Sequence, residues 1–419
     1  MHIEKTTGIN RFFFPCLMWL LSRIPIALAM LLIAPALPVP SHGVLPSADL
    51  SVFDAWDTDH YRAIATSGYE YVNDGKGHNI AFFPLFSLVI RGLMTMKVPF
   101  TVAGMLVNNL AFILALIVIY LWVEEYHGTS AARWSAAVLA WFPLSLFGTV
   151  IYTEGLYLLL STATLRAFDK QQYSGVALWG ALATATRPTG IALIPALVIA
   201  TWKERRPGKA YIASVATAGG LLLFSLYCLV RFHDPLAFIN AQRGWRPSLG
   251  FDWPGWLKMV MQVMIGTVNW RHRQIVDFLH PLLFILILVS GWFLWRYRQK
   301  FGTVKTGYGF CLLCLILWLL GGDPLINLVM FFGGAYLLWY LRHQLSLVTV
   351  LYGFCGLGLI ISSGATLSLS RIIYGIVSLS VALGLLLSRH QRWGYATMGF
   401  FCLLTITMSI RFAQKLWVA

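Results

Sequence analysis

Apolar runs about as long as a lipid bilayer is thick recur from one end of this sequence to the other, separated by short polar connections. A helix needs ~20 residues to cross the hydrocarbon core, and inside it every backbone N–H and C=O must be paired within the spanning element. A chain patterned in this way can satisfy its backbone only as a bundle of membrane-spanning helices. Its 419 residues would otherwise divide into two or three soluble domains, but 58% are hydrophobic and 11% charged, which leaves no segment polar enough for a separate one. The expectation is an all-α integral membrane protein forming a single polytopic domain over 1–419.

The net charge of +15 raises the question of nucleic acid, and the placement of the basic residues answers it. Lys203, Arg205, Arg206 and Lys209, then Arg296, Arg298, Lys300 and Lys305, fall in short connections between apolar runs, as retention of basic loops on the cytoplasmic side requires. A nucleic-acid surface would be one continuous basic stripe, so no nucleic-acid partner is expected. The six cysteines, Cys16, Cys228, Cys311, Cys314, Cys355 and Cys402, lie inside apolar stretches, where a free thiol acts as a small hydrophobe. The Cys311-x-x-Cys314 spacing has no second Cys or His pair nearby, so packing accounts for it better than a metal or a redox pair.

Eleven full spans are expected, near 12–37, 99–122, 134–150, 152–167, 210–231, 278–296, 306–321, 325–341, 345–362, 372–388 and 394–410. The first lacks a small-residue cleavage site and reads as a retained span. Lys5 and Arg11 before it place the N-terminus inside, which puts 40–98 and 233–277 on the non-cytoplasmic side, and an odd number of spans puts the C-terminus there too. The stretch 81–96 is short and carries Arg91, which suits an interfacial or re-entrant helix. The stretch 174–202 has basic residues at both flanks and a break at Arg187-Pro188, which suits two half-length helices that enter and return.

Acidic residues are few, sixteen in all, yet Asp49, Asp54, Asp57, Asp59, Glu70 and Asp74 fall within 40–80 against Arg62 and Lys76 alone, a local balance of −4. The run from Phe53 to Ile64, read as a helix, sets Phe53, Trp56, Asp57, His60, Tyr61 and Ile64 on one face. Trp and Tyr on such a face are interface anchors. Asp57 among them costs free energy unless a cation or a proton donor meets it there.

The stretch Trp56-Asp57-x-x-His60-Tyr61, then Ile64-Ala65-x-x-Gly68-Tyr69, then Ala81-Phe82-Phe83-Pro84-Leu85-Phe86, resembles the first outer-loop signature of the PIG-V family of mannosyltransferases. Trp141-Phe142-Pro143 followed by Tyr152-Thr153-Glu154, then Arg187-Pro188-Thr189-Gly190, Gln242-x-x-Trp245 and Ser370-Arg371, extend the likeness in order and spacing. Ser87 departs from it, standing where the family often has a second proline.

The resemblance implies a GT-C membrane fold and transfer of a sugar, mannose above all, from a polyprenyl- or dolichyl-phosphate carrier to a lipid, glycan or protein acceptor. Transfer would take place on the non-cytoplasmic face, with inversion at the anomeric carbon. It implies the bacterial plasma membrane, or the endoplasmic reticulum membrane in a eukaryote. Inverting transfer needs one carboxylate to take the acceptor proton and cations to meet the departing phosphate. Asp57 is the expected catalytic base, with Asp54 and Asp59 as neighbouring alternatives. Arg371 and Arg187 are the expected phosphate partners, with Arg243 and Arg246 next. His60, Tyr61, Glu154, Gln242 and Trp245 complete the expected substrate-binding set, and Glu154 is equally suited to a structural pairing with Arg187. The resemblance implies no certain cofactor; a divalent cation is optional in such a fold, and the spacing of His60 and His78 matches no strong ligand pattern. The alternative from another class is a multi-pass transporter or lipid flippase, which broken half-helices around a mid-membrane arginine would also suit.

Overall fold

In a computed structural model, which describes residues 8–246 and 250–418, the chain is helical throughout, and among those residues the single β contact is an isolated bridge between Gly250 and Ser363. Two compact units are present. One comprises Met1–Ser248, Ala335–Ile360 and Arg371–Val418, and the other Leu249–Gly334 and Ile361–Ser370.

Among the described residues five helices are long and apolar enough to cross a membrane, and six if the bent pair Gly208–Ala216 and Gly219–Phe232 forms one span. Each expected run overlaps a helix, but several are interrupted. The run 134–150 is not one continuous span. Its helix, Phe100–Trp141, stops before Phe142-Pro143, because proline has no N–H to donate and disfavours helical dihedrals in the residue before it; a 3-10 helix, Pro143–Gly148, follows. The runs 306–321 and 325–341 join end to end through Arg298–Leu328, a π turn and Gly334–Tyr340, with a non-helical Gly322 between them. The run 174–202 breaks where expected: Tyr173–Thr186 ends at an extended Arg187, a 3-10 helix Pro188–Ala192 follows, and Leu193–Lys203 resumes. Lys5 lies outside the described residues. Arg11 is paired with the buried Glu124 at 2.8 Å.

In the first unit the core is built on Phe100–Trp141, against which Gly8–Leu28, Glu154–Asp169 and Val377–Arg389 pack. Two devices on this scaffold fix the segment 142–155. Asn108, fully buried, donates to the carbonyls of Phe147 at 2.7 Å and Val150 at 2.6 Å, and accepts from the Gly155 N–H at 2.8 Å. A Cβ at position 155 would collide with the Asn108 carbonyl, so glycine is what lets the two helices approach.

The second device is Arg23, buried in the first span. It donates to the carbonyls of Ser145 at 2.9 Å and Ala140 at 3.1 Å and to the hydroxyl oxygens of Thr149 at 2.6 Å and Ser145 at 3.0 Å. These orphan carbonyls at a helix end would otherwise go unpaired. An ionisable group inside a span is tolerated only with such partners.

The first loop is compact. Asp49 caps a 3-10 turn, Leu50–Phe53, accepting from Ser51 N–H at 2.8 Å, and two short helices, Thr58–Thr66 and Pro84–Thr95, come after. Tyr61, Ala65, Phe86 and Ile90 close a shared core with Phe100, Ala103 and Ile151. The Ser87 hydroxyl donates to the Tyr61 carbonyl at 3.3 Å, so the residue that departs from the proline pattern ties these two helices together.

The span 53–64 is not one helix. Trp56 takes a left-handed conformation at φ +60°, which costs a bulky residue about 1–2 kcal/mol and ends any helix there. Asp57 therefore stands at the N-cap of Thr58–Thr66 instead of within a continuous aromatic stripe, and the exposed Trp56 turns to meet Trp417 edge-on at 5.4 Å.

In the second unit Asp252 caps Trp253–Ile265 and also accepts from the N–H and hydroxyl of Thr366 at 3.1 and 3.2 Å. Helices Trp253–Ile265 and Thr267–His272 occupy much of the expected loop 233–277.

Candidate functional site

Four charged side chains from distant parts of the first unit form an alternating chain. The Arg371 guanidinium donates to the Asp57 carboxylate at 2.6 Å, and its Nε lies 3.7 Å from Glu154, which in turn pairs directly with Arg187. Each member is placed by a local feature. Asp57 sits at the start of a helix just after the left-handed Trp56, and Glu154 is the first residue of Glu154–Asp169, where a carboxylate also meets the positive end of the helix dipole. Arg187 occupies the extended break between two helices, and Arg371 lies in the short helix Leu369–Tyr374.

The chain is graded in exposure. Glu154 is 0% exposed, Arg187 12%, Arg371 14% and Asp57 22%, so solvent access is greatest at the Asp57 end. Glu154 Oε2 and Arg371 Nε make no hydrogen bond. The aromatic floor is Tyr152 and Phe147, whose ring centroids lie 5.1 and 5.4 Å from the Arg371 guanidinium. The Tyr152 hydroxyl accepts from the Asp57 N–H at 3.3 Å and donates to the Ala55 carbonyl at 3.4 Å.

One turn beyond Asp57, His60 stacks on Phe82 at 4.4 Å, and Trp245 meets both rings edge-on at 5.6 and 5.8 Å. Burial holds the His60 imidazole below its ordinary range, against the opposing pull of Asp57 and Asp59. Gln242 donates to the Ala81 carbonyl at 3.3 Å. The loops that carry these groups touch through glycines. A Cβ on Gly244 would collide with the Gly77 backbone, and one on Gly77 would fall 2.7 Å from the Trp245 ring. Arg246 follows directly; burial, with Arg371 and Arg187 nearby, lowers its pKa.

The expected residues thus separate into groups. Asp57, Glu154, Arg187 and Arg371 come together, and His60, Gln242 and Trp245 line up beside them. Asp54 is turned away into an ion pair with Arg62, whose guanidinium lies over Phe100 at 4.4 Å, and Asp59 is exposed. Tyr61 is buried under the site, edge-on to Phe82, Phe86 and Tyr152. Sequence reasoning quoted Tyr152 within a motif but gave no role to it, although it touches Asp57 and Arg371, and it passed over Arg23, which fixes the segment carrying it. A lone arginine within an apolar run was the available signal for Arg23. Among the described residues no group of three or more His, Cys, Asp or Glu side chains is placed to hold a metal ion. Both acids of the cluster already hold arginines, so the arrangement does not fit a divalent cation.

Comparison with known proteins bears on this region. Residues 13–207 match the family model described as Mannosyltransferase (PIG-V). Human GPI alpha-1,6-mannosyltransferase 2 is 23% identical over 287 residues, covering 58% of this chain and 57% of its own length; the rat protein of that name is 27% identical over 158 residues, covering 35% and 31%. The chain thus spans little more than half the length of the human relative. Among solved structures, the Archaeoglobus fulgidus oligosaccharyltransferase in the apo form aligns with 99% of this chain and 57% of its own, at 11% identity and a TM-score of 0.48. ArnT from Cupriavidus metallidurans bound to undecaprenyl phosphate aligns with 92% and 62%, at 14% identity and a TM-score of 0.48. Residues 13–207, which carry Asp57, Glu154 and Arg187, are thus similar to the mannosyltransferase (PIG-V) family.

Proposed function

We propose that the protein is a GT-C-type mannosyltransferase of a bacterial plasma membrane, or of the endoplasmic reticulum membrane if its source is eukaryotic, which uses a polyprenyl- or dolichyl-phosphate-linked donor. Asp57 is the base. It takes the proton of an acceptor hydroxyl as that oxygen bonds to the anomeric carbon from the face opposite the phosphate. The bond from that carbon to the phosphate oxygen breaks with its electron pair, and the products are the inverted glycoside, the lipid phosphate and a protonated Asp57. Arg371 and Arg187 neutralise the charge that collects on the phosphate, with Arg246 beside them. The first loop faces away from the cytoplasm, and the acceptor is a lipid, glycan or protein hydroxyl.

The observation that carries this reading is the contact of Asp57 with Arg371, inside a chain of charge continued by Glu154 and Arg187. In an inverting transfer the base and the phosphate-binding cation flank one carbon from opposite faces, so both have to lie within reach of one bound sugar, and the contact of Asp57 with Arg371 brings them within that reach. The names of the curated relatives support mannose as the sugar. The test offers radiolabelled polyprenyl-phosphate mannose to membranes containing the wild type or Asp57→Asn. Label should pass from donor to an acceptor fraction with the wild type only. Equal transfer by both would refute the assignment of the base, and label crossing the membrane unchanged would identify a transporter.

A further inference from the structure

Tyr152 is 2% exposed and has its hydroxyl and its ring engaged with different parts of the charge chain. The hydroxyl bonds to the backbone on both sides of Trp56, accepting from Asp57 N–H at 3.3 Å and donating to the Ala55 carbonyl at 3.4 Å. Trp56, between them, is the left-handed residue that turns the chain so that Asp57 opens the next helix. Such a conformation persists only where its surroundings over-determine it. The Asp57 carboxylate makes no cap bond to its own helix, so its direction follows from that turn and from Arg371. The ring acts on a different partner. Its centroid is 5.1 Å from the Arg371 guanidinium, beside Phe147 at 5.4 Å, and an aromatic face attracts a guanidinium most strongly when desolvated.

The ring is itself held from behind. It packs edge-on to Phe147 at 4.9 Å, Phe412 at 6.0 Å and Tyr61 at 6.2 Å, and the segment bearing it is pinned by Asn108. It has little freedom to follow either partner, so the partners follow it.

We propose that Tyr152 is a positioning residue with two separable roles: its hydroxyl sets the carboxylate of Asp57 through the Trp56 turn, and its ring face seats the guanidinium of Arg371 where the donor phosphate is met. The proposal rests on the reading of Asp57 as base and Arg371 as phosphate partner. It assigns the hydroxyl to the chemical step and the ring to donor binding. A residue that merely filled space would alter the amount of folded protein and leave both constants of the folded fraction unchanged.

The experiment compares purified wild type, Tyr152→Phe and Tyr152→Leu in detergent, measuring steady-state transfer per folded molecule and equilibrium binding of undecaprenyl phosphate. Tyr152→Phe should lower kcat about tenfold while binding the lipid phosphate within about twofold of wild type, because it loses only the hydroxyl. Tyr152→Leu should weaken lipid phosphate binding by about fivefold to tenfold as well, with Phe147 retaining part of the seat. If Tyr152→Leu is not recovered folded, Tyr152→Met replaces it, since its flexible side chain fills the space without a ring face. Wild-type kcat in Tyr152→Phe, or indistinguishable profiles for the two variants, would overturn the proposal alone. A wild type that neither transfers mannose nor binds undecaprenyl phosphate would overturn the donor reading, and the proposal with it.

Discussion

Arg371 and Asp57 stand 314 positions apart in the chain and meet at 2.6 Å. The pair joins the acidic first loop to a late helix. On the proposed reading, a donor phosphate would offer Arg371 a second anion, and the carboxylate freed by that exchange would accept the proton. Asp57→Asn keeps the size of the side chain and removes the acceptor of the proton. Turnover should fall by roughly 10²–10⁴-fold, the range for loss of a general base, with donor affinity close to that of the wild type. Asp54→Asn and Asp59→Asn should have much smaller effects, since one is paired to Arg62 and the other is exposed. Steady-state kinetics on the three variants decide the matter, and loss of transfer confined to Asp54→Asn or Asp59→Asn would count against Asp57.

Asp57 was legible in the sequence because its surroundings contradict it: an acid among aromatic anchors at an interface needs a partner. The identity of the partner was not accessible, since nothing local ties position 57 to position 371, and Arg371 was expected only as a partner of the departing phosphate. Glu154 and Arg187 stood out as isolated charges in apolar stretches, and their pairing was foreseen as one of two uses. The helix through Phe53 to Ile64 was misread. Periodicity reports which residues would share a face if the backbone were regular, and it carries no sign of a left-handed residue at Trp56, whose two neighbours bond to Tyr152 from elsewhere in the fold.

In the Glu154–Arg187 pair Glu154 is fully buried and Arg187 12% exposed; removing Glu154 strands Arg187, and removing Arg187 leaves Glu154 only its longer contact with Arg371 at 3.7 Å. Glu154→Leu and Arg187→Met should each destabilise the protein by about 3–5 kcal/mol, and the double variant by clearly less than the sum, because no unpaired charge remains. Thermal unfolding in detergent measures this. Additive losses would mean that the pair is not coupled as its geometry indicates.

His60 gives a pH dependence of definite sign. Its folded-state pKa lies below the unfolded value of about 6.5, so the native protein disfavours the protonated form. Stability from this residue is complete above that value and is lost as pH falls through it towards the folded pKa, because the unfolded chain takes up the proton first. Between roughly pH 7 and pH 5 the wild type should lose more thermal stability than His60→Phe, which keeps a ring against Phe82. Parallel losses in the two proteins would assign the acid sensitivity to other groups.

Topology is open to a direct chemical test. Ser47 lies in the exposed, acidic part of the first loop, close to the Asp49 cap. A cysteine placed there, in a background without the six native cysteines, should react in intact cells with a thiol reagent that cannot cross the membrane. Labelling that requires permeabilisation would put the charge chain on the cytoplasmic side and remove the basis for a lipid-phosphate donor presented from outside.

The glycine contact between the loops that carry Gly77 and Gly244 limits how this protein can vary. Position 244 has no room for a side chain while Gly77 keeps its place, and position 77 has none while the Trp245 indole lies over it. A substitution at either site has to part the loops, and with them Trp245 from His60 and Phe82. Changes in the two loops are therefore coupled through this contact, although Ala81 and the Gln242 that binds it stand 161 positions apart. Grafting one loop from a relative without the other would yield a protein with an intact charge chain and a misplaced aromatic wall, in which altered acceptor choice could be studied apart from loss of catalysis.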